Sequence, residues 1–377
     1  MSFAIETQLQ RASTNRARRI RRKQRFRVRH ERLERHRIRR KGIRLTKLLD
    51  VANGLAINES NINSIGYSYN EKKLDIILPE SLDFELNYES TASHLRVLRK
   101  AVEKGTKIRR IDFSRIKTLS TSAALVLAST VDQWRERVSG KIRAELPTWG
   151  HDIQKLLCQM GYFELLGLPV PEKTWDEGTV TFLPFIRGRI GEDAPGEKAK
   201  QLRIKIEEIV GKSIQRRPLF EGISEAITNV CQHAYDGVSD EKRKYWWLSA
   251  SFDSVNRELR VTFYDKGLGI PKTLPAHRNF ERFLSLFGSW PDSKKIEAAM
   301  KIGRTASGLE ERGKGLQNLI EFAKAHPEGN LRVSSLKGTY EEKYENGLDN
   351  QQKRNVALQD HKCSIGGTLI EWSVLLP

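Results

Sequence analysis

The sequence has little cysteine, no long apolar run and no apolar segment near its start. Its three cysteines, Cys158, Cys231 and Cys363, are far apart and lack CxxC spacing, so neither a disulfide framework nor a zinc site is indicated. No apolar run approaches the roughly 20 residues that cross a bilayer, and the start lacks the core of a secretory signal. We therefore expect a cytoplasmic protein without a transmembrane segment.

Acidic residues are scarce at the start of the chain. Residues 1–50 hold 18 Lys and Arg against 4 Asp and Glu, so most of the formal net charge of +19 lies in this segment. The rest of the 377 residues is close to neutral and is long enough for two domains with cores of their own. The charge imbalance is therefore a property of one segment.

The segment 1–50 is predicted to be a basic arm that is helical or partly disordered. Its densest part, residues 11–47, fits a solvated arm or an arm that binds a polyanion such as nucleic acid or an anionic membrane surface. Phe26 is the one aromatic residue among the clustered arginines, so little base stacking is expected. Contact with nucleic acid would then be independent of sequence.

Residues 51–172 alternate between strand and helix patterns and predict a small α/β domain. Period-2 patterns predict strands, and apolar residues at helical spacing predict helices. The predicted strands are 73–79, 108–114 and 141–147, and the predicted helices are 92–105, the segment after the loop "LSTS", and 151–169.

The order of these elements, with "IKTLSTSAAL" before a helix and "GYFELL" near the end, resembles a STAS domain, the family of bacterial anti-sigma-factor antagonists. In that family a Ser or Thr at the head of the helix is phosphorylated by a partner kinase. The matching residues here are Ser120, Thr121, Ser122 and Ala123, which lack the Asp and Gly of the family loop. The resemblance implies a phosphosite at Thr121 or Ser122, whereas the residues alone fit a helix N-cap.

A polar stripe marks the start of the second predicted domain, residues 173–377. Glu225, Asn229 and His233 follow one another at intervals of four, which places them on one face of a helix. Ile223 and Ile227 occupy the opposite side and suit a core. The stripe fits either the solvent-exposed face of a helix or the wall of a cavity.

Three glycine-containing turns follow in a fixed order. An apolar strand runs into Asp265, Gly267 and Gly269, and in the segment 311–326 a Gly-x-Gly turn then opens onto a predicted helix. Two further glycines precede Thr368 and a final apolar strand. Each turn alone fits a tight bend.

Together with the polar helix, these turns resemble the GHKL superfamily of ATP-binding domains over residues 178–377, and the "EAxTNxxxHAY" form is closest to the anti-sigma serine kinases. The resemblance implies a bacterial protein with an α/β sandwich, a mixed sheet and helices on one face. It also implies ATP and magnesium as cofactors. Asn229 would hold Mg²⁺, Glu225 would orient or deprotonate the attacking group, and Asp265 would accept the adenine amine.

The remaining expected site residues surround the same nucleotide. The N-terminus of a helix favours bound phosphate, and glycine allows a ligand to approach the backbone closely. Residues 272–312 are expected to form a lid over ATP or an interface helix for a partner. The expected contacts are His233 beside Asn229, Gly267 and Gly269 near the nucleotide, Arg312, Gly313, Lys314 and Gly315 near the phosphates, and Thr368 at the adenine end.

Three functions stay open from the sequence. The chain is expected to be a Mg-ATP-binding regulatory protein, either a slow ATPase or an ATP-dependent switch. Alternatives are a Ser/Thr protein kinase that acts on a STAS loop in cis or in trans, and a polyanion-binding module with ATP as a structural ligand. A protein partner for the STAS-like domain and a homodimer are further expectations. Phosphoryl transfer needs little beyond positioning and charge stabilisation, so these residues do not separate hydrolysis from kinase activity.

Overall fold

A computed structural model describes most of the chain after residue 66. The described residues are 67–70, 73–103, 108–137, 142, 146–170, 179–191, 195–211, 216–236, 244–273, 289–305, 315–346 and 352–376. Two compact units are present, residues 1–73 and residues 74–377. In the first unit the described strand is β1 (Tyr67–Asn70). The predicted domain boundary at 172/173 falls inside the second unit.

The second unit is built around a large antiparallel sheet. Its strands are β6 (Val180–Phe182), β7 (Ile186–Arg189), β8 (Tyr245–Asp253), β9 (Glu258–Asp265), β10 (Gly329–Ser335), β11 (Gly338–Asn346), β12 (Gln352–Asp360) and β13 (Thr368–Leu375). The order across the sheet is β12-β11-β10-β13-β9-β8-β6, and β7 also pairs with β8. Short connections join β8 to β9 and β10 to β11, which suits antiparallel pairing. The expected mixed sheet is therefore wrong for the described strands, whose pairings here are all antiparallel.

Both faces of this sheet are covered, and the strand sequences show why. In β9 the apolar Leu259, Val261 and Phe263 point to one face and are fully buried. Thr262 and Tyr264 alternate with them and are also buried. Strands buried on both sides carry apolar or hydrogen-bonding side chains at nearly every position.

Helices cover the first face and form the main core. They are α5 (Pro195–Val210), α6 (Arg216–Asn229), α8 (Asp292–Thr305) and α9 (Gly315–Lys324), and the short helix α7 (Ile270–Thr273) follows β9. Apolar side chains on their inner sides pack against the apolar row of the strands. The central members of this core include Leu202, Ile206, Leu219, Ile223, Ile227, Ile296, Met300, Leu319, Phe322, Leu248, Phe263, Val333 and Trp372.

A helix from the predicted STAS-like region covers the second face. Helix α2 (Thr121–Arg137) packs on β8 and β9, and every residue from Thr121 to Val131 is buried. Trp247 donates its indole N–H to Asp132 at 3.0 Å across this contact. A helix whose first three turns carry apolar or small hydroxyl side chains on all sides is suited to enclosure, and α2 lies between the large sheet and helices α1 (Tyr88–Glu103) and α4 (Tyr162–Leu166).

The rest of the STAS-like region is small and mixed. Strand β2 (Lys73–Ile77) pairs in parallel with β4 (Ile108–Asp112), and β3 (Ser81–Leu82) pairs with β5 (Thr118–Leu119). The helices are α1 (Tyr88–Glu103), α3 (His151–Gln159) and α4 (Tyr162–Leu166).

The described elements differ from the expectation for this region in two places. The single helix expected at 151–169 is divided because Gly161 has a φ of 88°. The expected strand 141–147 lies mostly outside the described residues, and its end enters a 3₁₀ turn, Leu146–Thr148.

The described part of the chain contains no helix with the length and apolar composition needed to cross a bilayer. Helix and sheet are mixed throughout the second unit, as expected for the α+β class. All three cysteines are free thiols.

Candidate functional site

The polar stripe lies where helix α6 changes its geometry. Glu225 and Asn229 are on α6, and the chain then widens into a π turn, Val230–Ala234. Such turns occur frequently at functional sites. His233 lies in this turn with its side chain exposed. The sequence pattern predicts the helix but gives no sign of the π turn.

Glu225 and Asn229 form a partly buried pair. Burial raises the pKa of the Glu225 carboxyl, and the nearby Asn229 amide lowers it by a smaller amount. Asn229 Nδ2 is nevertheless buried without a well-formed hydrogen bond to any described residue. A buried N–H donor without a well-formed hydrogen bond carries a desolvation cost that a bound acceptor would remove.

Asp265 lies at the carboxyl end of β9 and is 3% exposed. Burial raises the pKa of Asp265 to about 7, and hydrogen bonds from Gly267 and Thr368 oppose this rise. The Gly267 N–H donates to Oδ1 at 2.7 Å, and Thr368 is the direct partner of Asp265 on β13. A carboxylate has about four acceptor positions, so it can accept a further donor.

Direct contacts join the polar helix to the Asp265 turn. The Leu268 N–H donates to the Ala234 carbonyl at 2.6 Å, and the Lys266 N–H donates to the Tyr235 hydroxyl at 3.1 Å. A side chain at Gly267 would overlap Ala234. The close approach that Gly267 permits is therefore to the end of the helix, so the two sequence motifs lie side by side.

The third glycine turn, at Gly366 and Gly367, packs against the Asp265 turn. Gly366 and Gly367 have φ values of 73° and 118°, and a side chain at Gly367 would overlap the Asp265 carbonyl. Ser335, at the end of β10, has its hydroxyl 3.0 Å from that of Thr368 and donates to the Gly367 carbonyl at 3.1 Å. The Ile270 N–H also donates to Ser335, at 3.0 Å.

The expected phosphate-binding segment is described only in part. Gly315 is the first residue of α9, whereas Arg312, Gly313 and Lys314 lie outside the described residues. Gly269 has a φ of 86° and approaches Leu336. Of the expected lid 272–312, the portion in α8 is core, because Ile296 and Met300 pack beneath the sheet. That portion is therefore not free to close over a ligand, and most of the remainder lies outside the described residues.

The residues matched to a STAS phosphosite are enclosed by the large sheet. Thr121 and Ser122 are 8% and 3% exposed, and the Thr121 hydroxyl lies 3.0 Å from that of Ser251 on β8. Ser120 Oγ accepts the Ala123 N–H at 3.3 Å. Ser120 thus acts as the N-cap, and a kinase could reach its two neighbours only if α2 left the sheet.

Protein side chains alone do not form a metal cage in the described parts of the chain. Groups of three or more His, Cys, Asp or Glu side chains with ligand geometry are absent there. Magnesium usually binds one or two protein ligands together with phosphate oxygens and water. A single amide such as Asn229 is compatible with that mode.

Several residues of the site have no role in the sequence interpretation. Tyr235 donates its hydroxyl to the Tyr245 carbonyl at 2.6 Å while it accepts from Lys266. Ser335 joins the Asp265 turn to the Gly366–Gly367 turn, and Arg99 reaches the second of these turns from helix α1. Tyr235 stands in the quoted helix motif, but nothing in the sequence indicates its partner. Ser335 and Arg99 lie far from any motif.

The chain was compared with protein families and with curated proteins. No family model and no curated protein sequence matches it.

Proposed function

We propose that the chain is a Mg-ATP-binding regulatory protein of the GHKL type, a slow ATPase or ATP-dependent switch, with a STAS-like region packed against its sheet. The observation that carries the proposal is the hydrogen bond between Leu268 and Ala234. It brings the end of the helix that carries Glu225 and Asn229 against the Asp265 turn, although 35 residues separate Asn229 from Asp265 along the chain.

The residues present suit both groups that the proposal requires. Asn229 Nδ2 is a buried donor that a phosphate oxygen could accept, and the oxygen of the same amide would hold Mg²⁺. The enclosed carboxylate of Asp265 would accept the amine of adenine, with Thr368 beside it. Bound Mg²⁺ would supply charge stabilisation to the phosphates.

Glu225 would act as the base or as the group that orients the attacking hydroxyl. It is one helical turn from Asn229, about 6 Å along the axis. Burial raises the pKa of its carboxyl, which increases its basicity toward the range in which a general base is effective near neutral pH. Glu225 and Asn229 would therefore have separate tasks, in turnover and in binding.

Hydrolysis is favoured over phosphorylation of the chain's own STAS-like loop. Thr121 and Ser122 are buried beneath the sheet, and the Ser122 hydroxyl lies close enough to the Glu371 carboxyl on β13 to lower its pKa against the larger effect of burial. A phosphate on Ser122 would place two further negative charges beside that carboxyl. The arrangement supports a docking role for this loop in place of a substrate role.

The test uses the purified full chain with Mg²⁺ and γ-labelled ATP. Protein-bound label and free phosphate are followed in parallel, and Mg·ATP affinity is measured by calorimetry. We expect free phosphate without label on the chain. Asn229→Ala should abolish Mg·ATP binding, whereas Glu225→Ala should retain binding and lose turnover by about 10²–10⁴-fold.

Other outcomes would refute parts of the proposal. Undiminished affinity in Asn229→Ala would remove this residue from the magnesium site, and equal turnover in Glu225→Ala would make the acid structural. Label that stays on the chain and disappears in a Thr121→Ala, Ser122→Ala double variant would establish the kinase alternative.

A further inference from the structure

Helix α1 of the STAS-like region holds the loop that leads to Thr368. Tyr88 stacks on His361 with ring centroids 3.4 Å apart. The carboxylate of Glu89 accepts the N–H groups of Lys362 and Cys363 at 2.7 and 3.0 Å. These contacts fix the first half of the loop 361–367 from outside the segment that resembles an ATP-binding domain.

Arg99, on the same helix, fixes the second half. Its guanidinium donates to the carbonyls of Ile365 and Gly366 at 2.5 and 3.3 Å. Tyr264 donates its hydroxyl to the same two carbonyls at 3.3 and 2.9 Å. The space beside Gly366 is filled by Arg99, which a side chain at this position would overlap. The left-handed conformation of this turn is thus held by two donors.

A second contact holds the Asp265 turn from α2. The Lys266 ammonium donates to Gln133 at 2.9 Å and to Thr130 at 3.2 Å, and it lies 5.2 Å from the centre of the Trp247 ring. Although the residue as a whole is partly buried, its ammonium is enclosed, and burial lowers the pKa of Lys266 well below its usual range. The neighbouring Asp265 faces the site, so one turn links the site to α2.

We propose that Arg99 is a positioning residue for the nucleotide, and that the STAS-like region thereby sets the affinity of the site. The inference rests on the proposed ATP-binding function. Arg99 contacts the turn Ile365–Gly366, and that turn places Gly367 and Thr368 against Asp265. Without Arg99, the turn loses its charged donor, and the adenine end of the site is less ordered before ligand binds.

The experiment compares Arg99→Ala, Arg99→Lys and Arg135→Ala in the full chain. Arg135 is a matched control because it also donates to two backbone carbonyls, those of Glu164 and Leu165 at 2.9 and 2.8 Å, but within the STAS-like region. Mg·ATP and ADP affinities are measured by calorimetry, kcat and KM by phosphate release, and local stability by hydrogen exchange of segment 361–367.

We expect Arg99→Ala to lower the affinity for Mg·ATP and for ADP about tenfold, which corresponds to the loss of one charge-assisted hydrogen bond. The KM should rise while kcat stays within about twofold, since Glu225 and Asn229 are on another element. Hydrogen exchange of the backbone amides in segment 361–367 should become faster. Arg99→Lys should recover part of the affinity because lysine keeps a charged donor without the planar fork. Arg135→Ala should match the wild type.

Two results would overturn the inference while the proposed function stands. One is wild-type nucleotide affinity in Arg99→Ala with accelerated exchange in the loop, and the other is an equal loss of affinity in Arg99→Ala and Arg135→Ala. A wild-type chain that binds no nucleotide would instead refute the proposed function, and the inference with it.

Discussion

Replacement of Asp265 by Asn is expected to stabilise the ligand-free protein and to weaken nucleotide binding. Burial raises the pKa of Asp265 from 3.8 to about 7 in the folded state. Since the folded pKa is above the unfolded pKa, ionisation disfavours the folded state. This cost begins as the pH rises through 3.8 and is complete above 7. A shift of about three units amounts to roughly 4 kcal/mol.

The increase in the free energy of unfolding that Asp265→Asn produces should depend on pH. At pH 5.5 part of the cost is already present, about 2 kcal/mol, and at pH 7.5 it reaches about 4 kcal/mol. The variant should therefore gain roughly 2 kcal/mol more at pH 7.5 than at pH 5.5. Its amide oxygen can still accept the Gly267 N–H, while its NH₂ group needs a new partner, so these values are upper limits.

Urea denaturation of both chains at the two pH values measures this difference. Asp253→Asn is the matched control, since Asp253 ends β8 in an exposed turn where hydrogen bonds from Val255 and Asn256 lower its pKa. Asp253 is therefore ionised throughout this range, and its contribution to the free energy of unfolding is the same at pH 5.5 and at pH 7.5. A loss of stability in Asp265→Asn that is equal at both pH values would refute the reasoning. Mg·ATP affinity in this variant should fall at least tenfold, and undiminished affinity would exclude Asp265 from the adenine site.

Two further predictions concern the same site. Because burial raises the pKa of Glu225 above its ordinary 4.5, turnover should decline as the pH falls through that raised value, and an acid limb at or below pH 4.5 in a pH–rate profile would contradict a base role. Gly267→Ala should force Leu268 and Ala234 apart, because the added methyl group overlaps Ala234. The expected cost is about 1–3 kcal/mol of folding stability, and nucleotide affinity should fall as well. Gly196→Ala, with open space around its position, is the control that should behave like the wild type in denaturation and titration.

The sequence predicts the elements that carry its motifs because their apolar periodicity is strong, whereas strands β8, β10, β11 and β12 are not among the predicted elements. The strand ending at Asp265 and the helix carrying Glu225 both lie where the patterns place them. Less predictable is the antiparallel pairing, since strand order depends on contacts between distant segments. The split at Gly161 shows another limit, because one left-handed residue divides a segment of continuous helical pattern.

The candidate site was predictable in its motifs but not in its surroundings. Asp265 and Thr368 stand next to glycines that mark turns, and their pairing on adjacent strands follows only from the sheet register. Arg99 gives no signal in the sequence, because an arginine on an amphipathic helix is common on solvated faces. Its partner carbonyls are 266 and 267 residues away along the chain. Contacts of that separation are not encoded in any local pattern.

The burial of the second face of the sheet limits how a switch in this protein can work. Trp247 and Tyr264 are fully buried, and separation of α2 would expose up to about 400 Å² of these two rings, at a cost of up to roughly 10 kcal/mol. Nucleotide at a thousand times its Kd supplies only about 4 kcal/mol. Binding therefore cannot detach α2, so under the proposed function a response to ATP would pass through the closed interface, by adjustment of the loop 361–367 that Arg99 holds.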